Sequence, residues 1–180
     1  MPDQLEQLKE LALSCGFSHA GLMDADTIRL RTEVRDACAV NKCGAYNTKW
    51  SCPPGCGTLE ACEVRIRKYK KGILLQTTGI MEDSMDYETM TQTGKDHAEH
   101  LESFSGEIKK QYPGSMIMGA GACRRCETCA YPDEPCRFPD RMTASMEAYG
   151  MVVSDVCKDN NLPYYYGKDT ITYTGCVLLE

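Results

Sequence analysis

The sequence predicts an α+β fold: a mixed sheet flanked by helices, with two cysteine-rich metal-binding loops at its rim. Three observations carry this expectation. Helical and strand patterns alternate through the middle of the chain, placing strands near 18–23, 73–78 and 115–120. Two later segments, Leu162 to Tyr166 and Thr170 to Leu179, flank Gly167-Lys168-Asp169 and read as an antiparallel hairpin. Two stretches, 36–57 and 122–139, lose periodicity and concentrate cysteine, glycine and proline. At 180 residues the length favours a single metal-binding domain over 1–180.

The elements follow in chain order. Asp3 and Glu6 have the spacing of a capping box, ahead of Leu5, Leu8, Ala12 and Cys15 on one helical face, and Gly16 stops that helix. Phe17 to Met23 is strand-like until Asp24 and Asp26 break it, and Thr27 to Arg35 follows as a short helix. Thr58 caps a helix that turns Leu59, Cys62, Ile66 and Tyr69 to one side and ends at Gly72. Ile73 to Thr78 then reads as a central strand, because its apolar run is continuous. A longer helix carries His97, Leu101, Phe104 and Ile108 as one stripe and closes at Tyr112-Pro113-Gly114. The strand Ser115 to Gly121 delivers the chain into Cys123. Beyond it, Thr143 to Tyr149 reads as a helix closed by Gly150, Met151 to Val153 as a short strand, and Ser154 as the cap of a helix reaching Asn160.

The chemistry sits in the aperiodic stretches. Cys123, Cys126 and Cys129 are spaced by two residues, and Cys136 follows beside Arg137 and Pro139. This is how a loop wraps the corners of a [4Fe-4S] cube. A zinc site more often takes its cysteines as separated pairs, and zinc is the alternative, with inert thiols a third reading. Arg124, Arg125 and Arg137 are placed to offset the negative charge of thiolates around such a core. The other stretch holds Cys38, Cys43, Cys52 and Cys56 among Gly44, Pro53, Pro54 and Gly55. A core cysteine normally rides on a periodic element, so this group reads as a second metal site, and free thiols are the alternative. Its gaps are irregular, and Pro53-Pro54-Gly55 can turn the Cys56 sulfur away, leaving a three-thiolate site with an open position. Cys15, Cys62 and Cys157 lie at apolar-face or mid-helix positions and read as packing residues. Cys176, after Gly175, stays open. His19 reads as structural, and His97 and His100 have no further ligand near them in sequence.

Composition excludes several function classes. The net charge is −6, from 20 basic and 26 acidic residues. The one basic run, Arg65 to Lys71, alternates with Ile66 and Tyr69 as a solvated helix face does, so no nucleic-acid partner is expected. No apolar stretch approaches the roughly 20 residues of a membrane span. The 12 cysteines follow a polar opening, Met1-Pro2-Asp3-Gln4, with no apolar leader, so the expected location is cytoplasmic and the thiols read as ligands, not crosslinks. So many thiols also suit an anaerobic host. There is no nucleophile motif or phosphate-binding glycine loop.

The combination of Cys38, Cys43 and Trp50-Ser51-Cys52-Pro53-Pro54 with Cys123, Cys126, Cys129, Pro135-Cys136-Arg137-Phe138-Pro139 and Ser145-Met146-Glu147-Ala148-Tyr149-Gly150 resembles the predicted metal-binding family classed as domain of unknown function 2284. That resemblance covers nearly the whole chain and implies metal binding without naming a reaction. The opening, with Gly16-Phe17 and Ala20-Gly21-Leu22, is also similar to the start of some iron–sulfur reductases that act with corrinoids. The expected function is an iron–sulfur protein of the redox class, passing single electrons to a redox partner protein or a bound small-molecule substrate. One cluster is expected at Cys123, Cys126, Cys129 and Cys136 and a second at Cys38, Cys43, Cys52 and Cys56. The alternatives are a zinc-stabilised binding module and a non-redox enzyme using an open iron as a Lewis acid.

Overall fold

A computed structural model describes residues 2–180. Its centre is a five-stranded mixed sheet built from β1 (His19–Asp24), β2 (Lys71–Ile80), β3 (Met116–Gly119), β4 (Ala144–Ser145) and β5 (Thr170–Leu179), in the order β1-β2-β5-β3-β4. The β1–β2, β2–β5 and β3–β5 pairs are antiparallel, and β3–β4 is parallel. The helices are α1 (Pro2–Ser14), α2 (Thr32–Ala39), α3 (Leu59–Ile66), α4 (Tyr87–Gln111) and α5 (Val153–Asp159). Among the described residues no helix is long and apolar enough to cross a membrane.

Strand alternation divides the core in two. Ile73, Leu75, Val177 and Leu179 face one side, where Leu8 and Ala12 of α1 and Leu101, Phe104 and Ile108 of α4 cover them. Leu74, Cys176 and Leu178 face the other, against Cys62 and Ile66 of α3, Val156 and Cys157 of α5, and Met146 to Met151. A strand buried on both faces has no reason to alternate apolar with polar residues, so the apolar run of β2 marks it as central. The α4 stripe expected from the sequence is buried along its length, His97 included.

Several boundaries differ from expectation. The hairpin is absent: Leu162 to Tyr166 forms no strand, and both edges of β5 are occupied by β2 and β3. The 162–166 segment instead seals the buried Gln76, whose amide donates to the Pro163 carbonyl at 2.9 Å while its carbonyl accepts from the Tyr166 hydroxyl at 2.6 Å. Thr143 to Tyr149 is not a helix, because Ala144 and Ser145 extend the sheet beside β3, and a short 3-10 turn at Glu147–Tyr149 ends at Gly150 with φ +94°. Met151 contributes one bridge to Leu30 in place of a strand, and α5 begins at Val153 without a side-chain cap from Ser154. Thr27 to Arg35 is interrupted: Asp24 caps a 3-10 turn at Ala25–Thr27, and α2 begins only at Thr32. α1 begins at Pro2, so Asp3 lies within it, and the side chain that would form the capping box lies outside the described residues. Thr58 does cap α3, accepting from the Ala61 N–H at 3.2 Å.

Candidate metal centre

β3 ends at Gly119, and Gly121, at φ +78°, turns the chain out of the sheet into the Cys123 loop. Cys123, Cys126, Cys129 and Cys136 all line one mainly apolar cavity, walled by Trp50, Phe138 and Met142. Lys49 and Arg125 are its charged members. The free space is about 20 Å³, so a bound core would replace thiol contacts and part the loop, not fill a preformed void. Among the described residues no three His, Cys, Asp or Glu side chains come close enough together to grip a single ion.

The donor set nevertheless suits a thiolate-ligated metal group. Burial alone pushes the Cys129 thiol up, but backbone N–H groups of Tyr131, Trp50 and Ala130 and the charge of Lys49 outweigh it and hold the thiol below its ordinary range. Amides aimed at a sulfur favour its anionic form, the form that binds metal. Arg137 is spent on the loop itself, donating to the Thr128 carbonyl at 2.8 Å. Arg125 bridges outward to Glu102 at 2.9 Å and to the Arg141 carbonyl at 2.6 Å.

The second cysteine stretch packs directly against the first. The Ser51 hydroxyl accepts from the Cys123 N–H at 3.1 Å, the Trp50 indole donates to the Glu134 carbonyl at 2.9 Å, and the Tyr131 hydroxyl bonds Asn47 at 2.8 Å. Trp50 and Tyr131 meet edge to face with centroids 4.9 Å apart. The two groups therefore form one assembly, which their separation in sequence conceals.

Within the second stretch the cysteines divide. Cys38 sits near the end of α2, where burial raises its thiol and the charge of Cys43 raises it further. Burial likewise raises Cys52, with the Ser51 hydroxyl opposing it and the charges of Cys43 and Cys123 adding to it. Cys43 is thus close enough to both for its charge to matter, and Cys52 is close to the neighbouring loop. Cys56 is not brought to them. It is buried, 3.5 Å from the Ala148 carbonyl, and paired with Cys62 of α3.

Cys62 is more than the packing residue its helical face suggests. Arg65 and Arg35 approach its sulfur at 3.2 and 3.6 Å, while both also bind loop carbonyls: Arg35 reaches Gly57 at 2.6 Å, and Arg65 reaches Cys56. A hydrogen bond from Cys56 and these two guanidinium groups hold the Cys62 thiol well below its ordinary range despite burial, while Cys56 is pushed up. The legible signal was Arg65, one helical turn after Cys62. Cys157 and Cys176 are buried and raised by burial, and Cys15 packs partly buried against the α1–α4 side of the core. His19 stacks on Tyr166 at 3.9 Å, and the Nδ1 atoms of His97 and His100 share the Thr77 hydroxyl at 3.1 and 3.2 Å.

Among solved structures the chain is similar to epoxyqueuosine reductase from Bacillus subtilis, at 11% identity and a TM-score of 0.46, an alignment spanning 98% of this chain and 45% of that one. No curated protein matches the sequence. A family model described as a predicted metal-binding protein matches residues 21–179, a span that takes in both cysteine loops and every strand beyond the first two residues of β1. The chain belongs to that family, DUF2284.

Proposed function

We propose that the protein carries an iron–sulfur cluster at Cys123, Cys126, Cys129 and Cys136 and passes single electrons to a partner protein or a bound small molecule. The observation that supports this best is the convergence of those four cysteines on one mainly apolar cavity. Three of them follow one another at two-residue gaps, the spacing with which a loop wraps the corners of a cube, whereas zinc more often takes its cysteines as separated pairs. When bound, such a cluster supplies one-electron chemistry. The chain's own residues do the rest: Trp50, Phe138 and Met142 keep water from the cavity, Lys49 and Arg125 offset thiolate charge, and Ser51 pins the entry of the loop. The free state of all 12 cysteines fits a reducing compartment, the cytoplasm.

Cys38, Cys43 and Cys52 form a second, three-thiolate candidate, with Cys56 engaged elsewhere. These three sulfurs do not close on a single ion among the described residues, so a group held there would be a cluster with one iron left open to substrate or water. Iron, zinc and labile-sulfide analysis with electron paramagnetic resonance on anaerobically purified protein tests both parts. Cys129→Ser is expected to lose about four irons, and Cys56→Ser to keep its iron. Colourless protein with stoichiometric zinc and no sulfide would overturn the cluster reading in favour of a structural zinc module, and iron loss from Cys56→Ser would overturn the three-thiolate assignment.

A further inference from the structure

A groove of about 600 Å³ runs between the end of α3, the C-terminal half of α4, the start of β3 and residues 139–144. That volume is typical of small-molecule sites. Its charge is opposite to that of the molecule: Arg65, Lys68, Lys109, Arg125 and Arg141 line it, against the two carboxylates of Glu102 and Asp140, in a chain of net charge −6. Glu102 is already shared between Arg125 and Arg141, at 2.9 and 2.6 Å. Among the described residues Lys109 reaches only the backbone carbonyl of Asp140, and Lys68 stands exposed at the rim.

A second observation points to a ligand. Ser115 lines the groove, is 7% exposed, and its hydroxyl has no hydrogen-bond partner among the described residues. A buried hydroxyl left unpaired costs about 1–3 kcal/mol, so natural proteins seldom retain one without use. Two lysines without a carboxylate partner among the described residues and an unpaired hydroxyl line the same groove, and an oxyanion is complementary to such a set of donors. Arg125 lines both this groove and the cysteine cavity, so a molecule held here lies beside the Cys123 loop.

We propose that this groove binds a small oxyanion-bearing molecule, a phosphate ester or a carboxylate, and presents it to the adjacent metal centre. The inference rests on the electron-transfer reading for its purpose, but not for the binding itself. Isothermal titration calorimetry on anaerobically purified protein, with AMP in one arm and succinate in the other, tests it and distinguishes the two sources of oxyanion. At least one probe is expected to bind below about 1 mM, more weakly at higher salt. A Lys68→Gln/Lys109→Gln variant should weaken that binding by about tenfold or more, and Ser115→Ala should weaken it with metal content and visible absorption unchanged. No binding of either probe, or unchanged affinity in both variants, overturns the proposal. Metal analysis of the same samples separates the two failures: anion binding without iron sinks the cluster reading alone, and an iron–sulfur protein that binds neither probe sinks the groove alone.

Discussion

At the scale of single residues, polar groups placed inside the core are the ones with consequences. His97 is 2% exposed, and burial, then the neighbouring charge of His100, lowers its pKa to about 4. Its imidazole is therefore neutral in the folded protein near neutrality, with Nδ1 on Thr77 and Nε2 without a partner among the described residues. Because the folded value lies below the unfolded one, the contribution of a neutral His97 to stability is present above pH 6.5 and is lost as pH falls toward 4. The loss approaches about 3 kcal/mol. Chemical denaturation of His97→Leu against wild type between pH 7 and 4 should show a flatter acid limb in the variant, and parallel limbs would contradict this account. Cys62 shows the opposite sign of environment: two guanidinium groups and a thiol donor stabilise its thiolate in a place where burial alone would have kept it protonated.

At the scale of elements, the two cysteine stretches depend on each other. Ser51, 1% exposed, is the contact through which the 36–57 stretch holds the first cysteine of the 122–139 loop. Ser51→Ala leaves the Cys123 N–H without that partner and is expected to cost about 1 kcal/mol. The readout is chelator-driven metal loss, which should quicken several-fold while far-ultraviolet circular dichroism stays unchanged. Equal loss rates would show that the contact does not hold the loop. The sequence made each stretch visible separately, since loss of periodicity and cysteine spacing are local signals. It could not show that they touch, because Trp50–Glu134 and Ser51–Cys123 are contacts between residues more than seventy positions apart. The neighbour of Cys56 was hidden for the same reason. The spacing of Cys56 suited the loop, but the partner that claims it, Cys62, lies on a helix whose face looks purely apolar.

At the scale of the whole molecule, the mixed sheet, the α4 stripe and the centrality of β2 were legible because periodicity reports burial directly. The hairpin was not. Gly167-Lys168-Asp169 has the composition of a tight turn, but nothing local says that β2 and β3 compete for both edges of β5 and win. The sheet and the cysteine stretches also differ in burial: the core residues of β2 and β5 are fully buried, while Cys38 and the four cysteines of the 122–139 loop are half-buried and Cys43 is exposed. Metal removal by an anaerobic chelator is therefore expected to raise amide hydrogen exchange in 36–57 and 122–139 and to leave 71–80 and 170–179 protected. Loss of protection across the sheet would instead mean that metal and core fold as one unit.

The position of β5 has a consequence for the order of events in synthesis. β1 and β2 can pair as soon as both have emerged, and β3 with β4, but these two halves share no strand contact until residues 170–179 pass between them. The stretch at 36–57 belongs to the first half and the loop at 122–139 to the second. Ser51 and Cys123 thus belong to halves that no strand pairing joins until residues 170–179 are in place. Metal delivered before that strand emerges would meet two cysteine groups not yet tied to one sheet.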